Sequence, residues 1–279
     1  MTISVPAGTL HERASAFTAQ ALAAYDRSSV YRDMSHVLLV ATRGMIPIDV
    51  VNTWLSLGLP ANQPCAGLVS ERGKEVGAAY EQLFAEVTDT AASVAKFGAY
   101  SPGFLATRFA VTMEEDNILP GDGLLKLLSA IYTCPDCGGE VGAKVVDGEL
   151  KPVTDDSWKC ADCGADGYSA VSGLYWMKTE PPVPMAFGDP SEPLDFKPRR
   201  VVDAIRDESI IEVNGIAMGF AVWRKAVFSK ISRPWFRTED GTTQDIYFCK
   251  KARAEVGARF GVHCGVGVGH LNVQTGEIV

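Results

Sequence analysis

No apolar run in this 279-residue sequence approaches the roughly 20 residues that cross a bilayer. The first residues, MTISVPAGTLHERAS, have neither a basic start nor an apolar stretch, which speaks against a secretory leader and for a cytoplasmic protein, of a cell or of a virus in its host. Net positive charge is also lacking. With 26 Lys and Arg against 34 Asp and Glu the formal charge is −8, which argues against a general basic coat for nucleic acid. Local basic clusters remain, Lys197-Arg199-Arg200 and Lys250-Lys251-Arg253, and clusters of that size are usually solvated faces. No internal repeat stands out. The 47% apolar content is ordinary and sufficient for the core of one large α/β domain or two small ones.

What the chain does have is a patterned set of cysteines. Cys134-Pro-Asp-Cys137 and Cys160-Ala-Asp-Cys163 are two C-x2-C knuckles separated by 22 residues, close to the zinc-ribbon spacing. A two-residue gap lets both thiolates of a knuckle reach one ion, and the Gly after each second Cys relaxes the turn. Four thiolates make a closed tetrahedral Zn²⁺ site, structural in kind. Two disulfides or a chance spacing are the competing readings, and a cytosolic chain disfavours the disulfides. The intervening segment reads as a β-hairpin turning at Asp147-Gly148. Cys65, Cys249 and Cys264 read as small buried apolar residues.

Residues 9–27 have the periodicity of an amphipathic helix. Strands are expected over His36–Ala41, Cys65–Val69, Phe104–Thr112, Ala170–Lys178, Ile210–Val213, Ala217–Trp223 and Gly261–Val268. Helices are expected over Pro47–Leu57, Glu71–Val87, Asp89–Lys96, Leu124–Ile131, Lys225–Ser229 and Asp245–Val256, with Glu180–Arg200 mostly loop. This alternation predicts an α/β fold with a mainly parallel, Rossmann-like sheet flanked by helices and a small inserted zinc ribbon.

The third strand runs into Glu114, Glu115 and Asp116, followed by a Pro/Gly break. Acids at the carboxyl end of a buried strand face the crevice where open α/β sheets bind ligands. Carboxylates there suit Mg²⁺ or Mn²⁺ shared with phosphate oxygens. A solvated turn with acids at the next helix's N-terminus fits the segment equally well.

Further motifs lie toward the C-terminus: Gly219 to Arg224-Lys225, Pro234-Trp235-Phe236, Gln244-Asp245-Ile246-Tyr247 and Gly269-His270. Taken in order with the acidic strand end, they resemble the GT-A glycosyltransferases, in particular the large inverting family 2. The resemblance covers roughly residues 35–272 apart from the ribbon. It implies an N-terminal helical segment over 1–34, a nucleotide-sugar-binding half over 35–133, the ribbon over 134–167, and an acceptor-binding half over 168–279.

The resemblance also implies roles. Thr42 and Arg43 sit where the family holds the nucleotide base and phosphates, and Glu71 and Arg72 where it places an acid or Arg near the nucleoside. Glu114 and Asp116 match the metal motif. A Glu stands where the first acid is usually Asp, so either Glu114 touches the metal or Glu115 takes the ribose side. Asp245 matches the catalytic base, with Gln244 in place of the usual preceding acid; a helix N-cap is the structural alternative. His270 matches a further metal ligand, against a hydrogen-bonded histidine at a strand end.

The implied activity is metal-dependent transfer of a sugar from a nucleotide donor, a UDP-sugar, to an acceptor hydroxyl. Without a membrane segment the acceptor is a protein, a soluble glycan or a hydroxymethylated base in DNA. The ribbon points to DNA and the acidic charge points away from it. The rival from another class is a non-enzymatic zinc-ribbon nucleic-acid-binding protein on a transferase scaffold. A nucleotidylyltransferase would share the sheet and metal, but it calls for a Gly-rich basic loop after the first strand where only Arg43-Gly44 is found.

Overall fold

The computed structural model describes residues 32–61, 63–146, 149–152, 158–239 and 241–279. The expected helix over 9–27 lies outside the described residues. The first half contains β1 (His36–Thr42), α1 (Ile48–Leu55), β2 (Cys65–Arg72), α2 (Val76–Thr88), α3 (Thr90–Phe97), α4 (Ser101–Ala106), β3 (Phe109–Glu114), β4 (Asn117–Ile118) and α5 (Gly123–Ala130). The ribbon hairpin is β5 (Ala143–Val146) and β6 (Glu149–Pro152). Then come β7 (Ala170–Leu174), β8 (Trp176–Met177), β9 (Val183–Pro184), β10 (Ala186–Phe187), α6 (Val202–Arg206), β11 (Ile210–Val213), β12 (Gly215–Ile216), β13 (Phe220–Arg224), α7 (Lys225–Phe228), α8 (Gln244–Val256), β14 (Phe260–Gly267) and β15 (Gly269–His270).

Seven strands form one sheet in the order β11-β14-β7-β13-β3-β1-β2. Strands β2, β1, β3, β7 and β14 run the same way, and only β13 and β11 oppose them. The sheet is therefore mainly parallel, drawn from both sides of the ribbon.

Both faces are covered, as such a sheet requires. Successive residues alternate between faces. Phe109, Val111 and Met113 of β3, with Phe220 and Val222 of β13, join Leu124, Leu127 and Leu128 of α5. Ala110, Ala221 and Trp223 face the other way, toward Leu83 and Phe84 of α2, Phe228 of α7 and Phe248 of α8. Aromatic stacking concentrates on this second face, with Phe84 against Phe228 at 4.1 Å and Phe228 against Phe248 at 4.9 Å. Each such side chain contributes about 1.5–3 kcal/mol on burial. The indole of Trp223 donates to Thr112 Oγ1 at 2.9 Å, so the largest side chain in this core leaves no polar atom unpaired.

Several boundaries differ from the sequence expectation. Phe104, Leu105 and Ala106 belong to α4, not to the third strand: Pro102 opens that helix, and Phe104 stacks on Phe97 of α3 at 4.0 Å. Glu71 and Arg72 finish β2 and do not begin a helix. Gly73 turns the chain at φ +73°, and Glu75 caps α2 by accepting from Ala78 N–H. The expected strand over Ala170–Lys178 is divided into β7 and β8, and Ala217 lies between β12 and β13. Helix α8 is capped at Thr243, so Asp245 sits within its first turn and is not the N-cap.

The ribbon enters after α5 and leaves before β7. Val146 pairs with Glu149, consistent with the expected two-residue hairpin; its turn, Asp147-Gly148, lies outside the described residues. Arg259 at the start of β14 fastens the ribbon to the sheet. Its guanidinium bonds Asp136 at 2.6 and 3.0 Å and Asp166 O at 3.1 Å on the ribbon, and Glu212 of β11 at 2.6 and 2.9 Å. Cys249 and Cys264 are buried and Cys65 is half-buried, none in a disulfide.

Candidate active site and thiolate centre

Parallel pairing of β2, β1 and β3 brings three carboxyl ends together, with Ala41 opposite both Glu71 and Glu114. A cavity of about 240 Å³ opens there, lined by Thr42, Arg43, Lys74, Glu114, Glu115 and Asp116, with Val76 and Ala79 as its apolar side. The cationic Lys74 and Arg43 stand at the rim of an acidic floor.

The three consecutive acids have three different environments. Glu115 turns back to the β1 loop: Oε2 accepts from Thr42 Oγ1 at 2.6 Å and from Arg43 N–H at 2.8 Å, and Oε1 accepts from Arg43 Nε. Burial would raise its pKa, but these bonds outweigh it and hold it below the usual value. Thr42 and Arg43, expected at the nucleotide, are thus tied to Glu115, although the Arg43 side chain is 78% exposed.

Asp116 turns toward the C-terminal segment. Strand β15 pairs antiparallel with β4, Asn117 opposite His270, and Leu271 N–H donates to Asp116 O at 2.8 Å. His270 Nε2 then lies 3.4 Å from Asp116 Oδ2, and Lys178 donates to the same oxygen at 2.7 Å. Burial opposes the charge, but His270 and Lys178 prevail and hold Asp116 at about 2. His270 Nδ1 lies 2.9 Å from Trp176 O, an acceptor, so Nδ1 carries the hydrogen. In neutral form its Nε2 lone pair faces Asp116. Burial lowers the His270 pKa, and Asp116 more than reverses this.

Glu114 has no cationic partner among the described residues. Burial, then the charges of Asp116 and Asp245, raise it to about 7. Asp245 is nearly fully buried, and desolvation raises its pKa. Its Oδ1 accepts from Thr243 Oγ1 and from Ile246 N–H at 2.9 Å, and Oδ2 has no partner among the described residues. The Tyr80 hydroxyl is buried near the charges of Glu114, Asp245 and Asp116, with Glu114 the carboxyl it interacts with. Gly219 closes the floor: its N–H donates to Tyr175 Oη at 2.7 Å, and any side chain there would run into Asn117.

The structure thus brings Asp116, His270, Glu114 and Asp245 to one end of the sheet. Glu71 and Arg72 stand apart. Glu71 is held by Lys96 at 2.5 Å, Gln82 at 2.9 Å and Lys74 at 3.2 Å, and Arg72 is exposed beside Gly44. Among the described residues, Glu114 does not converge with Asp116 and His270 into a three-donor metal cluster. Asp116 Oδ2 and His270 Nε2 could serve a hard cation together with substrate phosphates only with His270 neutral, whereas Asp116 raises the His270 pKa and Lys178 already bonds Oδ2. Lys74, Lys178 and Tyr80 were missed by sequence reasoning. Lys74 and Lys178 each follow a strand end, a position that could have flagged them.

At the ribbon, the Sγ atoms of Cys134, Cys137, Cys160 and Cys163 all lie within 4.8 Å of one another. Three of the pairs are at 3.5–3.6 Å. Thiolates at about 2.3 Å from a tetrahedral zinc stand roughly 3.8 Å apart, so the set fits that ion. Gly139 N–H and Asp162 N–H each point at a knuckle sulfur at 3.4 Å, as second partners to thiolates.

No protein-family model matches the chain, and no curated protein matches it by sequence. Among solved structures, the crystal structure of A197 from STIV is similar with a TM-score of 0.51, covering 88% of this chain and 93% of that chain at 14% identity. At that identity the likeness concerns the fold alone.

Proposed function

We propose that the chain is a GT-A-type glycosyltransferase that moves a sugar from a nucleotide donor, a UDP-sugar, to an acceptor hydroxyl with inversion. The observation that carries the reading is the pairing of β15 with β4. It sets His270 against Asp116 at the carboxyl end of β3, where the buried Asp245 also acts on Glu114.

The donor diphosphate lies in the cavity between Lys74 and the exposed end of Arg43, which draw it in by charge. Asp116 and His270 would hold Mg²⁺ or Mn²⁺, which stabilises negative charge on the departing diphosphate. The acceptor hydroxyl attacks the anomeric carbon on the face opposite the diphosphate. A new C–O bond forms while the old one breaks, and Asp245 Oδ2 takes the hydroxyl proton. Burial suits Asp245 to this role, because a carboxylate with a raised pKa is a stronger base. Thr243 and Ile246 hold the other oxygen and so fix the direction of Oδ2.

One contact favours a second version of the same reading. Lys178 already sits at 2.7 Å on Asp116, and an ammonium there can meet the diphosphate without a divalent ion. The four-thiolate centre is read as structural zinc.

The test is donor turnover with a panel of nucleotide sugars, with and without Mg²⁺ or Mn²⁺. Acceptor arms are a protein, a soluble glycan and hydroxymethylated DNA. Release of nucleotide diphosphate from one donor, lost in Asp116→Ala, supports the reading. Failure of every nucleotide sugar to bind refutes it, and leaves the ribbon's nucleic-acid-binding alternative.

A further inference from the structure

A second cavity lies at the other end of the sheet. About 340 Å³ in volume, it opens where β3 begins and β13 finishes, with Arg224 opposite Phe109. Its lining includes Arg108, Arg224, Lys225, Thr107, Trp158 of the ribbon and Asp33. Strand β3 is six residues long, so this opening lies roughly 20 Å from the acid cluster.

Two of its cations are buried without a counter-ion among the described residues. Arg224 is 2% exposed. Its Nε donates to Tyr168 O at 2.8 Å and its Nη2 to Ile131 O at 2.6 Å, while Nη1 has no partner among the described residues. Lys225 is 8% exposed and donates to Phe104 O, Leu105 O and Thr107 Oγ1 at 2.7–3.1 Å. Among the described residues, no carboxylate pairs with Arg108, Arg224 or Lys225, and Asp33 is the one acid of the lining. The rings of Phe109, Tyr132 and Trp158 lie 5.3–6.0 Å from the Arg224 guanidinium and soften its burial without neutralising it. Isolated buried charges are costly, and natural sites pair them.

We propose that this cavity binds a phosphomonoester dianion, with Arg108 and Arg224 as its hydrogen-bonding cations and Lys225 as a buried charge behind them. A guanidinium fork matches phosphate oxygens in pairs. The volume lies at the small end of small-molecule sites, roughly 300–1,000 Å³, and exceeds what a bare phosphate fills. A phosphate carried on a nucleoside-sized body fits it best. Lys225 remains mostly charged at neutral pH even though burial lowers it to about 8. The site is independent of donor binding at the acid cluster.

Calorimetric titration of the zinc-loaded full chain with inorganic phosphate, and separately with nucleoside monophosphates, tests this. One site per chain is expected, weakened roughly tenfold or more in Arg108→Glu and in Lys225→Met, and retained in Asp116→Ala. Arg108 is half-buried, so its variant keeps the test valid if Lys225→Met fails to fold. Tighter binding of the nucleotides identifies the carried phosphate as ligand, and equal binding identifies the free ion. No binding of either probe at millimolar concentration overturns the proposal. So does binding unchanged in Arg108→Glu, or binding lost only in Asp116→Ala.

Discussion

Asp116→Asn separates the charge of this carboxylate from its shape. In the folded chain Asp116 is held at about 2 against an ordinary 3.8, because Lys178 and His270 share its Oδ2. At about 1.4 kcal/mol per pH unit, that difference is about 2 kcal/mol of stability. The sign follows from proton counting. Between about 2 and 3.8 the unfolded chain binds the proton and the folded chain does not. The contribution is therefore complete above 3.8 and lost as pH falls through about 2. At pH 7 the variant should unfold about 2 kcal/mol sooner, a drop of roughly 1 M in urea midpoint. His270, without its carboxylate, should titrate at lower pH by NMR. Transfer should be abolished, and Mg²⁺ or Mn²⁺ should stabilise the wild type but not the variant. An unchanged midpoint with full transfer would refute both the ion-pair energetics and the role of the site.

Asp245→Asn preserves an oxygen acceptor for Thr243 and Ile246 while removing the proton acceptor. It should leave donor binding and fold intact but lower transfer by roughly two to four orders of magnitude, and near-normal turnover would move the base elsewhere. Elemental analysis should find about one zinc per chain, and Cys160→Ser should release it and loosen the ribbon while circular dichroism of the sheet persists. Full retention of zinc in that variant would remove Cys160 from the centre. Burial drops Lys225 to about 8, so between 8 and about 10.4 the unfolded chain holds a proton that the folded chain lacks, and stability should rise with pH there by up to about 3 kcal/mol. Lys225→Met should flatten that rise in pH-dependent denaturation; an identical slope would show that Lys225 titrates normally.

Local pattern was legible where one period dominated. The run His36–Ala41 has no competing helix reading, and the knuckle spacing specifies its own geometry. Phe104–Ala106 was ambiguous because three apolar residues suit either state, and Pro102 two positions earlier decided for helix. At the site, the acids were visible but their directions were not. Glu114, Glu115 and Asp116 are neighbours in sequence, yet one faces unpaired carboxyls, one faces Arg43, and one faces a strand contributed by the far end of the chain. Nothing local announces that β15 pairs with β4, since such long-range pairing is set by the sheet as a whole. Nothing local in Trp176–Lys178 shows that Lys178 reaches Asp116, 62 residues earlier in the chain.

The electrostatic pattern divides the crevice into two kinds of acid. Glu115 and Asp116 are paired with Arg43, Lys178 and His270, and both are held below their ordinary pKa values. Glu114 and Asp245 have no paired cation among the described residues and are raised by burial, Glu114 to about 7. A fold maintained only for stability would exchange such unpaired buried carboxyls for apolar side chains, since each costs desolvation and gains little in return. Environments that push neighbouring carboxyls apart in pKa are how a site keeps one acid ionised for binding and another ready to change protonation. Here the paired acids tie down the β1 loop and the C-terminal strand, and the unpaired ones have no cation of their own among the described residues. On the proposed function, proton handling falls to Asp245 and charge binding to Asp116, the division that transfer from an anionic donor to a neutral hydroxyl requires.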